Sequence, residues 1–214
     1  MLKDIEAAIF DLDGTLLDSM WIWEQIDVDY LSQRGYEVPN NLKDEINHLS
    51  FQKTADYFKK RFNIEESIEE IQQSWNNMAY THYNTDIVLK PGVITFLKYL
   101  KENGIKIGLA TSNSTELLTS GLRSTGIEKY FDKITITDEV KKGKNNPDVY
   151  LLAAKKLGVD PTKCIVFEDI LEAVNGAKLA NMKVVAVYDK AAEYQKEMLT
   201  SVADKYITDF TELI

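Results

Sequence analysis

Apolar residues along this chain follow two different rhythms, and the change between them divides the sequence. Residues 5–10, nearly all apolar, read as a short buried strand. From about Asp18 to Tyr83 the pattern is wholly helical. Met20, Trp23, Ile26, Tyr30 and Leu31 approximate one apolar stripe ending near Gly35, and Val38-Pro39-Asn40 breaks it. Phe51, Ala55, Phe58 and Phe62 keep the i, i+4, i+7, i+11 spacing of an amphipathic helix, with Ser50 placed to cap it. Asn63 is expected to open the next helix, with Glu66 in a capping box and a stripe through Ile64, Ile68, Ile71, Trp75, Met78 and His82. Trp21, Trp23 and Trp75 all lie in this block, and core packing is their expected role.

After a linker from Thr85 to Pro91 the pattern alternates. Strands are predicted at 105–110, 134–136, 164–167 and 184–187, with helices at 92–102, from Asn113 to about Gly126, at 147–157 and at 170–180. A tail helix and a short strand near Tyr206-Ile207 follow. Pro147 is expected at the first position of its helix. Such alternation implies parallel pairing, hence an α/β fold with a doubly wound parallel sheet. The helical block interrupts that sheet between its first and second strands, so it reads as an insertion. The expected organisation is an α/β core of residues 1–16 and 91–214 with an all-α helical cap of residues 17–90.

Composition narrows the classes of partner. The 214 residues are 44% hydrophobic and 28% charged, as in ordinary globular proteins. A net charge of −9 argues against general nucleic-acid binding, which calls for basic patches. It leaves a small anionic substrate open, because a metal and a few lysines can invert the local field. Cys164, the only cysteine, sits in an apolar run and is expected to be a buried structural thiol. Acids near Met1 and the lack of a run approaching roughly 18 apolar residues predict neither secretion nor a membrane span. A cytoplasmic location is the expectation.

In open α/β sheets, ligands bind outside the carboxyl ends of the strands. After the first strand come Asp11 and Asp13, then Gly14 at a sharp bend; after the second come Thr111, Ser112 and Asn113. Gly143-Lys144 precedes a helix, and Glu168 and Asp169 follow the strand at 164–167. Singly, each group has an ordinary explanation in capping or solvation. Together, four acids, two hydroxyls, an amide and a lysine at one sheet edge suit phosphoryl transfer. One carboxylate can act as nucleophile, a second can move the leaving-group proton, and a lysine and a hydroxyl can hold the phosphoryl oxygens. Crowded acids of this kind suit Mg²⁺.

Asp11-Leu12-Asp13-Gly14-Thr15-Leu16-Leu17-Asp18-Ser19 resembles the first motif of the haloacid dehalogenase superfamily in its phosphatase branch. Thr111-Ser112-Asn113 is similar to the second motif, Gly143-Lys144 to the third and Phe167-Glu168-Asp169 to the fourth. The resemblance covers the whole chain and is greatest to the subfamily with a helical cap inserted after the first strand, which includes phosphoglycolate phosphatase-like enzymes and β-phosphoglucomutase. It implies Asp11 as nucleophile and Asp13 as general acid/base. It further implies phosphoryl binding by Thr111, Ser112, Asn113 and Lys144. Mg²⁺ would be bound by Asp11, the Asp13 carbonyl and Asp169, with Glu168 a ligand or a neighbour of the ligands. The implied activity is hydrolysis of a small phosphorylated metabolite of the sugar phosphate, phosphoglycolate or nucleotide class, through an aspartyl phosphate.

The alternatives are a sugar phosphomutase and a non-catalytic binding module. Trp23 and Phe51 stand where mutase-like members carry a histidine and an arginine, which weakens the mutase reading. Asn145, Ile170 and Ala173 also depart from the family pattern. Of the two histidines, His82 is expected to pack, whereas His48 borders the loop Leu49 to Lys53, which could face the site.

Overall fold

In the computed structural model, which describes residues 1–214, six parallel strands form one sheet, in the spatial order 133–136, 106–111, 7–10, 164–168, 183–187 and 205–207. These are β1 (Ala7–Phe10), β4 (Lys106–Thr111), β5 (Lys133–Ile136), β6 (Cys164–Glu168), β7 (Lys183–Val187) and β8 (Lys205–Ile207). The order runs outward both ways from β1, as a doubly wound fold requires. Alternation along the strands serves two apolar layers. Ala8, Phe10, Ile165 and Phe167 face α5 (Val93–Glu102) and α6 (Thr115–Ser124). Ala7, Ile9 and Val166 face α7 (Asp148–Leu157) and α8 (Leu171–Leu179). Phe10 stacks on Phe167 with ring centroids 4.4 Å apart, which registers the central strand on its neighbour. Cys164 is fully buried, and burial pushes its thiol up to about 11, so it packs as a small apolar group. No helix is long and apolar enough to cross a membrane.

Between the first two core strands lie α1 (Met20–Ser32), α2 (Leu42–Ile46), α3 (Phe51–Arg61) and α4 (Ile68–Thr85). The chain enters this block through β2 (Leu17–Asp18) and leaves through β3 (Val88–Leu89), which pair antiparallel. Two-residue strands carry no readable period, so the 85–91 stretch reads from sequence as a plain linker. Ser50 caps α3 as expected, its hydroxyl accepting from the Lys53 N–H at 3.3 Å.

Asn63 does not open the next helix. It adopts a left-handed backbone (φ 48°), and the Ile64 N–H returns to the Lys59 carbonyl, which ends α3. Ser67 caps α4 instead and forms the capping box with Glu70, while Glu66 turns away to pair with Arg34. Pro147 likewise sits one place before its helix. Trp75 is a core residue, edge-on to Phe58 at 4.9 Å, but Trp21 is 44% exposed and lies edge-on to His82. His82 is therefore a surface partner of Asp86 and Trp21.

Gly176 in α8 marks the closest packing beneath the sheet edge. A Cβ there would lie 1.9 Å from the Lys144 carbonyl oxygen and 3.0 Å from that of Asn146. On an open helix, Gly→Ala gains about 1 kcal/mol. Here Gly176→Ala must push the 144–146 backbone away, and the expected net effect in urea unfolding is a loss of about 1–3 kcal/mol. A gain would show that the loop yields freely.

Candidate active site

The strand ends bring the predicted acids together around one ammonium. Lys144 Nζ lies 2.5 Å from Asp11 Oδ1 and 2.8 Å from Glu168 Oε1, and only 2% of the residue is exposed. Burial alone would lower the pKa of that ammonium, but Asp11 and Glu168 beside it raise it above the ordinary lysine value. Glu168 also accepts from the Tyr150 hydroxyl at 2.8 Å. Its other oxygen, Oε2, is buried with no partner. Burial, reinforced by the Asp11 charge and opposed by Lys144, holds the Glu168 carboxyl above the usual range. Asp169 is held high by burial and then by Asp11 and Glu168. Its only hydroxyl donor is Thr15, at 3.4 Å. Carboxylate oxygens of Asp11, Glu168 and Asp169 lie within 4.8 Å of one another.

This crowding depends on Gly14. Its φ of +81° favours glycine, and a Cβ there would lie 2.2 Å from Asp169 Oδ2. The turn closes tightly behind it, with the Leu16 and Leu17 N–H groups both donating to the Leu12 carbonyl at 2.9 Å.

Asp13 has a different environment from Asp11, two residues away. Its carboxylate accepts from the Ser19 hydroxyl at 2.6 Å, from the Asn113 amide at 2.7 Å and from the Tyr83 hydroxyl. No cation touches it. Burial raises its pKa, the three donors lower it and Asp11 raises it, with a net rise. Tyr83 in turn accepts from Trp23 Nε1 at 3.0 Å and Asn113 Nδ2 at 2.9 Å. Thr111 is buried, its hydroxyl accepting from the Asn113 N–H at 3.1 Å, and Ser112 accepts from the Thr137 hydroxyl at 3.2 Å.

Asp11, Asp13, Thr111, Ser112, Asn113, Lys144 and Asp169 all line one cavity of about 430 Å³. Glu168 is fully buried, does not line it, and is linked to it through its ion pair with Lys144. The opposite wall comes from α1, α2 and their neighbours. His48 is not in that wall, though Asn47 and Leu49 are; what His48 contributes is its carbonyl, which accepts the Lys144 N–H at 3.0 Å. Gly143 lets the two segments approach, since a Cβ there would meet that carbonyl at 2.2 Å.

Tyr83, Tyr150 and Gly176 are site elements that sequence reasoning missed. Tyrosines on helices carry no motif, but a lone glycine inside a predicted helix, as at 176, is a usable signal of close packing.

The chain is similar to known proteins along nearly its whole length. It is 30% identical to hexitol phosphatase B of Escherichia coli strain K12, over 99% of this chain and 95% of that protein. It is also 30% identical to a phosphorylated carbohydrates phosphatase of Thermotoga maritima, over 84% of this chain and 83% of that one. The crystal structure of β-phosphoglucomutase from Clostridium difficile superposes with a TM-score of 0.81 at 26% identity, covering 98% of this chain and 93% of that one. Residues 8–187 match the model of the haloacid dehalogenase-like hydrolases. With that match spanning most of its length and the acids at its strand ends, the chain belongs to the haloacid dehalogenase-like hydrolase family.

Proposed function

We propose that the protein is a Mg²⁺-dependent phosphatase that hydrolyses a small phosphorylated metabolite through an aspartyl phosphate on Asp11. Residues 1–16 and 91–214 are the α/β core, and residues 17–90 are a helical cap that closes the cavity. One observation carries the reading. Two carboxylates two residues apart have opposite environments: Asp11 is ion-paired with a buried lysine, and Asp13 is held by neutral donors with its pKa raised. Environments that separate two acids in this way assign a nucleophile and a proton carrier. The phosphatase names of the relatives agree with it.

In the first step an Asp11 oxygen attacks phosphorus, and the bond from phosphorus to the ester oxygen breaks. Protonated Asp13 gives its proton to that leaving oxygen. Lys144 and the Thr111 and Ser112 hydroxyls hold the phosphoryl oxygens, where negative charge concentrates. Asn113 serves by orienting Asp13, to which its amide is already bonded. In the second step Asp13 takes a proton from water, the oxygen attacks phosphorus, and Asp11 is released with inorganic phosphate.

The donor set fits Mg²⁺. Three buried carboxylates lie within 4.8 Å of one another, one lysine pairs with only two of them, and Glu168 Oε2 is buried with no partner. Asp11, Asp169, the Asp13 carbonyl and Glu168 would hold the ion. Bound there, it would shield the acids from the incoming phosphate.

Asp11→Asn is expected to cut phosphate release on the order of 10⁴-fold or more while leaving the unfolding transition in place. The wild-type rate should vanish in chelator and return with added Mg²⁺. Retained turnover in either case would sink the mechanism. Tyr83→Phe removes one donor from Asp13 and should lower kcat roughly tenfold on alkyl phosphates. Because p-nitrophenolate leaves without a proton, the loss on p-nitrophenyl phosphate should be smaller; equal losses would remove Tyr83 from proton transfer.

A further inference from the structure

The cavity wall facing the phosphoryl site has an unusual charge balance. Its polar groups include Glu24, Asp27 and Lys43, set among the apolar side chains of Trp23, Phe51 and Trp75. Lys43 is already committed, at 2.9 Å from Glu24 Oε1 and 2.7 Å from the Ala191 carbonyl oxygen. None of the chain's three arginines, Arg34, Arg61 and Arg123, lines the cavity. Lys144 is the remaining cation, and it belongs to the phosphoryl end. Asp27 has no hydrogen-bond donor in the protein. Burial first, then Glu24, push its carboxyl up to about 7 against the pull of Lys43. Asp27 is half-buried, mid-helix on a largely apolar wall and open to the cavity, so its carboxyl oxygens, unclaimed by any protein donor, are free to accept from a ligand hydroxyl.

We propose that Asp27 selects the leaving group, accepting a hydrogen bond from a hydroxyl of an uncharged alcohol and disfavouring a carboxylate or second phosphate at that position. The proposal rests on the phosphatase reading of the same site and names its substrate class: monophosphate esters of neutral, hydroxyl-bearing alcohols. A polyol or sugar offers both a donor for Asp27 and apolar C–H faces for the aromatic wall. Above about pH 7, where Asp27 is mostly ionised, an anionic group there would meet two carboxylates and no free cation, which is discrimination by repulsion.

The test uses a matched pair. A hexitol 6-phosphate and 6-phosphogluconate differ by a hydroxymethyl against a carboxylate at the end remote from the phosphate. Phosphate release is measured for both, and for p-nitrophenyl phosphate, with the wild-type chain and Asp27→Asn. The wild type should favour the hexitol ester about tenfold in kcat/KM, and Asp27→Asn should narrow that ratio about fivefold, mainly through KM. A partly unfolded variant lowers both rates together and leaves the ratio alone. Equal or better use of 6-phosphogluconate, a ratio unmoved by the substitution, or release from p-nitrophenyl phosphate alone would overturn the inference and leave the phosphatase reading standing. No release from any of the three compounds would overturn both.

Discussion

The carboxyl edge of the sheet depends on one buried ammonium. Asp11, Glu168 and Asp169 lie too close to be charged together in a dry setting, and Lys144 is the only cation in direct contact with two of them. A buried charge is tolerable only when its partners are fixed, since losing one partner leaves the other uncompensated. The chain accordingly fixes Lys144 from three directions. Its side chain is held by two acids, its N–H by the His48 carbonyl, and its own carbonyl by contact with Gly176. Asp189, another buried acid nearby, is kept out of this arrangement by its ion pair with Lys90 at 2.5 Å. The lysine loop thus couples the sheet, α8 and the segment before α3 in one constraint.

Asp13 is held by the inserted block as well as by the core. Ser19 lies just before α1 and Tyr83 near the end of α4, so two of its donors come from the points where the chain enters and leaves the helices. The β2–β3 pair ties those two points together. The proposed proton carrier is therefore oriented from the hinge of the proposed cap, where rotation moves atoms least. Trp23 extends the link by donating to Tyr83 from one turn into α1. Packing in the helical block can in this way affect proton transfer without any helical residue touching the phosphoryl group.

Much of this was legible because strand ends are set by apolar runs, and the sheet brings every strand end to one edge. Asp11, Asp13, Thr111, Lys144 and Asp169 could be gathered from periodicity and topology alone. The helical block was harder. Asn63 and Ser67 are each followed three residues later by a glutamate, so two capping boxes compete, and only the left-handed turn at Asn63 decides between them. Trp21 and Trp23 have the same composition cue but different helix faces, and two residues of phase separate an exposed ring from one on the cavity wall. Tyr83, Tyr150 and Asp27 are single polar residues on helices, whose meaning comes wholly from what lies opposite them in space.

The aromatic substitutions at 23 and 51 bear on reaction outcome as well as packing. A mutase must keep a bisphosphate in its cleft and present either phosphate to the same aspartate, which requires cationic groups at both ends. Here the ring of Phe51 lies edge-on to Trp23 at 6.0 Å and to Trp75 at 5.7 Å, so the positions that carry a histidine and an arginine in mutase-like members form one apolar surface. Lys43, the cation on that side, is neutralised by Glu24. A second phosphate would lose its hydration there and gain no counter-charge. The same surface suits an alcohol that departs once its phosphate is removed. Hydrolysis is thus favoured over transfer by the unlike character of the two ends of the cavity, with the Lys144 ammonium at one and an apolar to acidic wall without a free cation at the other.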